Sequence, residues 1–335
     1  MQNFAIKFLY ELLKVKITGK AKPLLATFSL TARCNCSCEY CDLLSKGTSQ
    51  ELSTAEIMDI IAELRQSGTM YIHFSGGEPL LRTDFEEITG YAKSLGMIVS
   101  CSTNAVMLAE RVPELKKNID KININFDGTE QVCERIKGKG AYKKIIFALE
   151  ALRNSGIKTV LSVVLTKFNT NNTCLEHILN IAEEYSTNVI FQPAINFSDG
   201  TPSAIAPEPK DYQEFLKEVL RKKMSGQKQR ILNSVVGLKY LQFWPSEDVK
   251  LNCPAGKIYC RIRSDGALSL CGLKSGKFFL KKNISKDEMP DDLKKLQIFK
   301  EFCPFCWCAV RVELSQIWGL SLGSMINTYQ CQSKK

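Results

Sequence analysis

Histidine is almost missing from this chain of 335 residues, which carries His73 and His177 and no others. A metal site built on paired imidazoles is thereby excluded, and both histidines are expected to be structural. Long apolar runs are missing as well. No segment approaches the roughly 18 consecutive apolar residues of a membrane-spanning helix. The first residues show neither the apolar h-region nor the small-residue cleavage site of an export signal. Repeats and low-complexity tracts are absent. Lys and Arg number 45 against 35 Asp and Glu, a net charge of +10 that favours anionic partners. The basic residues are nevertheless scattered among acidic ones, without an Arg/Lys tract or aromatic–basic interleaving, so nucleic acid is not an expected partner.

Cysteine is present in quantity, with 14 residues. Without an export signal, that number points away from disulfides and toward metal or redox chemistry in a reducing compartment, with the cytoplasm as the expected location. The 44% hydrophobic and 24% charged content is ordinary for a soluble globular protein, and the length suffices for one large domain or two.

From about residue 24 to 194 short β-branched runs alternate with helical patterns, as in successive β/α units around a parallel sheet. Strands are expected at Leu24–Leu30, Met70–Phe74, Met97–Ser102, Lys121–Phe126, Thr159–Leu165 and Asn188–Gln192. Helices are expected at Ser53–Arg65, Asp84–Ser94, Ala141–Asn154 and Leu175–Glu184, with a capping box from Ser53 to Glu56 and stops at Gly68, Gly96 and Gly156. Six such units match a partial barrel better than a closed one of eight, although an open sheet shares the pattern. A Pro/Ser/Gly-rich stretch, Ser198–Pro209, reads as a linker and is followed by helical patterns at Tyr212–Lys223 and Arg230–Phe243. A composition shift near residue 245 opens a region with six cysteines between Cys253 and Cys308. The expected organisation is an amphipathic helix over 1–23, a β/α barrel with trailing helices over 24–244 and a cysteine-rich domain over 245–335.

The strongest local signal is C-N-C-S-C-E-Y-C, directly after the first strand. Cys34, Cys38 and Cys41 stand at spacings that let a compact loop aim three thiolates at three irons of a cubane and leave the fourth iron open. The competing reading is a zinc site, with Cys36 completing a local set of four, or a few buried thiols. The loop resembles the CxxxCxxC loop of the radical S-adenosylmethionine superfamily, in which an aromatic residue precedes the last cysteine; Tyr40 holds that place. Cys36 is a departure, an extra thiol inside the loop, and is left out of the ligand set.

Further motifs extend the resemblance at successive strand ends. Ser75-Gly76-Gly77-Glu78-Pro79 looks like the GGEP motif that binds the amino group of S-adenosylmethionine. Ser102, Thr103 and Asn104 resemble the polar stretch that contacts its ribose and carboxylate. Asp127, in N-F-D-G, and the run Arg135–Tyr142 resemble the SPASM and twitch branch. Thr166, Lys167 and Asn169 close the fifth strand and Gln192 the sixth, and they complete the expected cofactor set. Each tetrapeptide alone is more often a loop; their common order is what is specific. The resemblance covers about residues 24–195. It implies a reduced 4Fe–4S cluster that cleaves S-adenosylmethionine to a 5′-deoxyadenosyl radical, which abstracts hydrogen from an unactivated carbon. No catalytic residue is assigned beyond that cluster.

Downstream, Cys253, Gly266 and Cys271 give C-x12-G-x4-C, and Cys303 and Cys306 form a C-x2-C pair. A hairpin of Ile258–Ile262 and Ala267–Leu270 around Ser264-Asp265-Gly266 brackets these cysteines. The pattern resembles the single-cluster twitch form of the auxiliary domain, an α+β unit, and implies a second 4Fe–4S cluster on Cys253, Cys271, Cys303 and Cys306. Cys260 and Cys308 stay open as replacements, and a zinc ribbon is the competing reading.

Residue 34 is the first cluster cysteine, which leaves no room ahead of it for the peptide-recognition domain carried by many peptide maturases. A small-molecule or lipid substrate is expected on that ground, with a peptide-modifying maturase as the alternative. A non-catalytic zinc or iron–sulfur interaction protein is the alternative of another class. A flavodoxin- or ferredoxin-like reductant is the implied protein partner. The N-terminal helix sets Lys7, Glu11 and Lys14 on one face and Phe4, Phe8, Leu12 and Val15 on another. Packing against the barrel end is the preferred reading, and contact with a lipid surface, aided by Lys16, Lys20 and Lys22, is the other. Cys101 is expected to be a core residue, with hydrogen donation to a substrate radical as the other reading, and Cys133, Cys174 and Cys331 carry no recognisable motif.

Overall fold

The computed structural model describes residues 2–42, 51–226, 230–272, 279–280, 289–297 and 306–320. Cys303 and Cys331 lie outside the described residues. Helix α1 (Gln2–Thr18) leads into six β/α steps: β1 (Leu25–Ser29), α2 (Thr54–Gln66), β2 (Tyr71–Ser75), α3 (Phe85–Ser94), β3 (Ile98–Thr103), α4 (Leu108–Leu115), β4 (Lys121–Asn125), α5 (Glu130–Lys137), α6 (Ala141–Leu152), β5 (Lys158–Leu165), α7 (Asn172–Glu184) and β6 (Asn188–Pro193). Then follow α8 (Pro209–Met224), α9 (Val235–Leu241), β7 (Tyr259–Ile262), β8 (Leu268–Ser269), β9 (Phe279–Leu280), α10 (Met289–Gln297) and α11 (Ala309–Trp318).

The strands form one sheet in the order β6-β5-β4-β3-β2-β1-β7-β8-β9. Strands β1 to β6 are parallel neighbours, as the alternation of strand and helix requires. Strand β7 adds to the free edge of β1, also in parallel, with Thr27 opposite Arg261. The expected hairpin forms, with Arg261 facing Ser269 across an antiparallel pair. Its first strand therefore continues the barrel sheet across the composition boundary near residue 245.

Local signals place the helices. Ser53 caps α2 with both halves of the capping box made to Glu56, and Ile57, Ile61 and Leu64 recur on its buried face. Burial of such side chains is worth about 1.5–3 kcal/mol each, which fixes the helix against the sheet. Gly68, Gly96 and Gly156 all take positive φ where helices were expected to stop. The helix expected from Arg230 begins only at Val235. Its first residues run instead beside β6, where the Asn233 amide donates to the Phe191 carbonyl at 2.9 Å and accepts from its N–H at 2.8 Å. Alternate residues of each strand (Ile72 and Phe74, Ile122 and Ile124, Val189 and Phe191) join the core under the helices. The intervening residues, among them His73, Asn123, Gln192 and Arg261, face the barrel interior. Among the described residues no helix is long and apolar enough to cross a membrane.

Candidate functional site

Because the strands are parallel, every motif singled out in the barrel sequence leaves the sheet at the same end, where barrel enzymes carry their chemistry. The cysteine loop follows β1 and is clamped at its entrance. The Glu51 carboxylate accepts from Arg33 Nε at 3.1 Å and Nη2 at 3.0 Å and from the Thr31 hydroxyl. Burial alone would raise the Glu51 carboxyl; Arg33 and Thr31 hold it below its ordinary range. Past the loop, Asp42 accepts from the N–H groups of Phe197 and Ser198, each at 2.9 Å, and ties the loop to the chain after β6.

Gly76 and Gly77 serve this loop directly. A Cβ at Gly76 would stand 2.4 Å from the Thr31 carbonyl oxygen, and one at Gly77 would stand 2.1 Å from that of Arg33. The Gly77 and Glu78 N–H groups donate to those same two carbonyls at 2.8 Å. The glycine pair thus lets β2 dock edge-on against the start of the cysteine loop. Gly77→Ala should force this contact apart at a cost of about 1–3 kcal/mol. Iron content of anaerobically purified variant and wild type is the check, with a clear loss of iron expected.

Glu78 is buried and fully engaged. Its carboxylate accepts from Leu80 N–H at 3.0 Å, the Thr103 hydroxyl at 2.8 Å and Asn104 N–H at 2.7 Å. Burial raises this carboxyl, and those donors oppose the rise. It ties the end of β2 to the end of β3. Asn104 then reaches the cysteine loop, its amide donating to Asn35 Oδ1 at 2.7 Å and to Cys34 Sγ at 3.8 Å. Cys34 Sγ also accepts from Cys36 N–H at 3.4 Å. Sulfur atoms that receive N–H donors are what an iron–sulfur ligand needs. Cys38 and Cys41 share one turn, with Cys41 N–H donating to the Cys38 carbonyl at 2.9 Å. Among the described residues no three His, Cys, Asp or Glu side chains are drawn together at metal-holding distance. The thiols, the donors to Cys34 and the glycine cradle nevertheless fit a cluster held by this loop.

Beneath the loop, Tyr40 packs with Ile136, Val164, Ala194 and Ile205. Lys137 donates to the Tyr40 hydroxyl at 3.4 Å and forms an ion pair with Asp127 in which both side chains are fully buried. Burial pulls the Lys137 ammonium down, but Asp127 and then Tyr40 hold it well above its ordinary range. Asp127 Oδ1 is buried with no hydrogen-bond partner among the described residues, so one acceptor remains for a bound group.

The remaining expected cofactor residues divide. Ser102 reaches into the interior and shares His73 with Ser100, at 2.9 and 2.7 Å. Asn169 is spent on the scaffold: it donates to the Asp127 and Val164 carbonyls and accepts from Thr166 N–H at 2.7 Å. Lys167 lies over the Phe168 ring, and Gln192 Oε1 accepts from Ala309 N–H at 3.4 Å, which ties β6 to α11.

The barrel interior is cationic, which local sequence reading missed. The register places Arg261, Thr27, His73, Ser100, Lys121 and Lys158 opposite one another across six strands. Arg311 from α11 stacks 3.4 Å over the Tyr259 ring, and Arg261 donates to the Ser29 hydroxyl at 2.5 Å. Burial first, then Lys121, Arg311 and Arg261, push His73 down to about 3. Its folded value lies below the ordinary value of 6.5, so the unfolded chain takes up the proton first. Stability is then constant above that value and falls as pH drops below it, by about 1–2 kcal/mol near pH 5. His73→Asn should flatten that acid limb in urea titrations.

Near α11, Arg311 is pulled down by burial but held above its ordinary value by Tyr259 and by the Cys308, Cys271 and Cys253 thiols. Those three cysteines are partly exposed. Cys306 is buried, with its N–H 3.4 Å from the Tyr240 hydroxyl. Cys260 is buried on β7 and is pushed up to about 12 by burial.

The cysteine loop and the strand-end motifs thus converge at one end of an open parallel barrel. Residues 28–177 match the radical SAM superfamily, and this domain of the chain belongs to that superfamily. The chain is similar to the mycofactocin maturase MftC of Mycolicibacterium smegmatis, 34% identical over 177 residues that cover 51% of this chain and 44% of the relative. It is similar to the PqqA peptide cyclase of Gluconobacter oxydans, 34% identical over 159 residues that cover 46% of this chain and 44% of the relative. The chain thus spans under half the length of both. Streptococcus suis SuiB, solved with its precursor peptide SuiA, shares the fold with a TM-score of 0.69 at 16% identity, over 84% of this chain and 67% of that one. The α/β partial-barrel fold of the chain is the fold of that structure.

Proposed function

We infer that this protein modifies a peptide, using S-adenosylmethionine bound at the cysteine loop and an acidic group of the peptide docked in the barrel interior. The observation that carries the reading is the set of cations Arg261, Arg311 and Lys121 around neutral His73, on the inward side of the strands whose ends bear the motifs. The maturase and cyclase named above favour a peptide over the small molecule or lipid expected from the sequence.

Cys34, Cys38 and Cys41 would hold the catalytic cluster, which with S-adenosylmethionine supplies the hydrogen-abstracting radical chemistry. The residues around it have separable tasks. Asn104 and the Cys36 N–H donate to Cys34 Sγ, Gly76 and Gly77 bring β2 to the loop, and Asp127 offers its unpaired Oδ1 to a cofactor donor. Cys253, Cys271 and either Cys308 or the C-x2-C pair would hold a second 4Fe–4S cluster. A flavodoxin- or ferredoxin-like protein would deliver the electron.

The test is anaerobic release of 5′-deoxyadenosine from reconstituted enzyme offered short synthetic peptides with and without acidic residues. Acidic peptides should stimulate release, and Arg261→Gln with Arg311→Gln should lose the stimulation while retaining the basal rate. Stimulation by nucleoside triphosphates or other small anions, and by no peptide, would refute the peptide reading.

A further inference from the structure

Helix α1 is amphipathic twice over. One face is used by the fold: Leu12 and Val15 are buried in the main core and Phe8 packs against it. Glu11 pairs with Lys22 at 2.7 Å, and Lys16 donates to the Trp318 carbonyl at 2.5 Å, so α1 is seated on the molecule from several directions. The opposite face is apolar and open. Ile6 is 70% exposed, Tyr10 62%, Leu13 37% and Ile17 84%. Their spacing, i, i+4, i+7 and i+11, aligns them in one straight stripe along the outside of the helix. Packing of α1 on the barrel therefore does not account for these four side chains.

We propose that this stripe lays α1 flat on a membrane surface rich in anionic lipid. Charge selects that occupant. Lys7, Lys14 and Lys20 are exposed around the stripe and have no ion-pair partner among the described residues. The acidic residue of the helix, Glu11, is taken by Lys22. A second copy of the chain docked stripe to stripe would bring these lysines against one another, whereas anionic headgroups would neutralise them. Shape agrees: 17 residues make a rod about 25 Å long, and four side chains in line on its outer edge form a shallow ridge suited to a flat surface. Branched aliphatic residues entering the acyl boundary, with a tyrosine at headgroup level and lysines beside it, are the elements of an interfacial helix. Lys22 and Lys16, enlisted for the lipid surface by sequence reading, are committed to the protein; Lys7, Lys14 and Lys20 take that role.

Binding of this surface to lipid can be measured without a substrate. The full chain would be sedimented with vesicles of equimolar phosphatidylcholine and phosphatidylglycerol, and with vesicles of phosphatidylcholine alone. Binding to the anionic vesicles and not to the neutral ones is expected, weakening as salt is raised. Ile6→Asp with Ile17→Asp should reduce binding by roughly tenfold or more, and Lys7→Glu with Lys14→Glu should abolish its salt dependence. Both pairs point outward, so iron content and melting temperature should match wild type. Wild-type protein that fails to sediment with anionic vesicles would overturn the proposal, and so would equal binding of the Ile6/Ile17 variant. A concentration-dependent dimer in analytical ultracentrifugation that the same variant dissolves would assign the stripe to a second copy and overturn it as well.

Discussion

Cys38→Ala should abolish reductive cleavage of S-adenosylmethionine, whereas Cys36→Ala should leave most of it. Both residues lie in the same loop, so composition cannot separate them. Burial raises both thiols, Cys38 to about 12, so acidity does not separate them, and the separation lies in spacing and in what each backbone group does. What Cys36 gives the site is its backbone N–H, 3.4 Å from Cys34 Sγ, and alanine retains that donor. The lost thiol is small and would cost about 1 kcal/mol of packing. Cys38 is different, since with Cys34 and Cys41 it completes a set of three and no other thiol is spaced to replace it. Release of 5′-deoxyadenosine by anaerobically reconstituted protein, with iron content alongside, is the measurement. Equal loss of cleavage in both variants would refute the ligand assignment and return Cys36 to a set of four.

Lys137→Met should be the most destabilising single change near the site. Lys137 and Asp127 are both fully buried, and removing the ammonium would leave a carboxylate under the cysteine loop without its counter-charge. Breaking such a pair from one side costs about 3–5 kcal/mol, while replacing both partners is often close to neutral. The double variant Asp127→Asn with Lys137→Met should therefore recover most of the stability lost by the single one in urea unfolding. A single variant as stable as wild type would show that water reaches the pair. The linkage has one sign. The folded ammonium titrates above its ordinary value of 10.5, so its contribution is complete below that pH and is lost only at higher pH. Because Tyr40 receives a hydrogen bond from Lys137 and precedes Cys41, the single variant should also lose cluster, which couples the stability of this buried pair to the chemistry above it.

Much of the barrel was legible in the sequence because its information is local. A period of two in the strands, apolar recurrence in the helices, Ser53 before Glu56 and glycines at helix stops each act within a few residues. Within the barrel the sequence pattern marks neither α4, which carries Pro113 inside it, nor α5, which is short and runs into a motif. The start of α9 was misplaced because Asn233 spends its side chain on β6, a contact 42 residues away in sequence. The site shows the same division. Spacing alone marked Cys34, Cys38 and Cys41. By contrast, Gly76, Gly77 and Glu78, which resemble cofactor contacts, also build the seat of the loop, and no local pattern marks this because their partners Thr31, Arg33, Thr103 and Asn104 lie at the ends of β1 and β3 or just beyond them.

The sequence by itself determined that parallel β/α units would carry a cysteine loop and a row of motifs at one end of a sheet. Those are consequences of chain direction and of patterns that repeat over a few residues. The tertiary structure alone decided which side chains meet. It set Arg261, from far down the chain, beside Thr27 and His73 by adding β7 to the edge of β1, and so made the interior cationic. It buried Lys137 against Asp127, and it left Ile6, Tyr10, Leu13 and Ile17 in the open while Leu12 and Val15 went inside. The physical reason is that strand pairing and helix docking are chosen by the whole buried surface. A residue's own neighbours in sequence carry no record of which strand edge or which helix face will be covered.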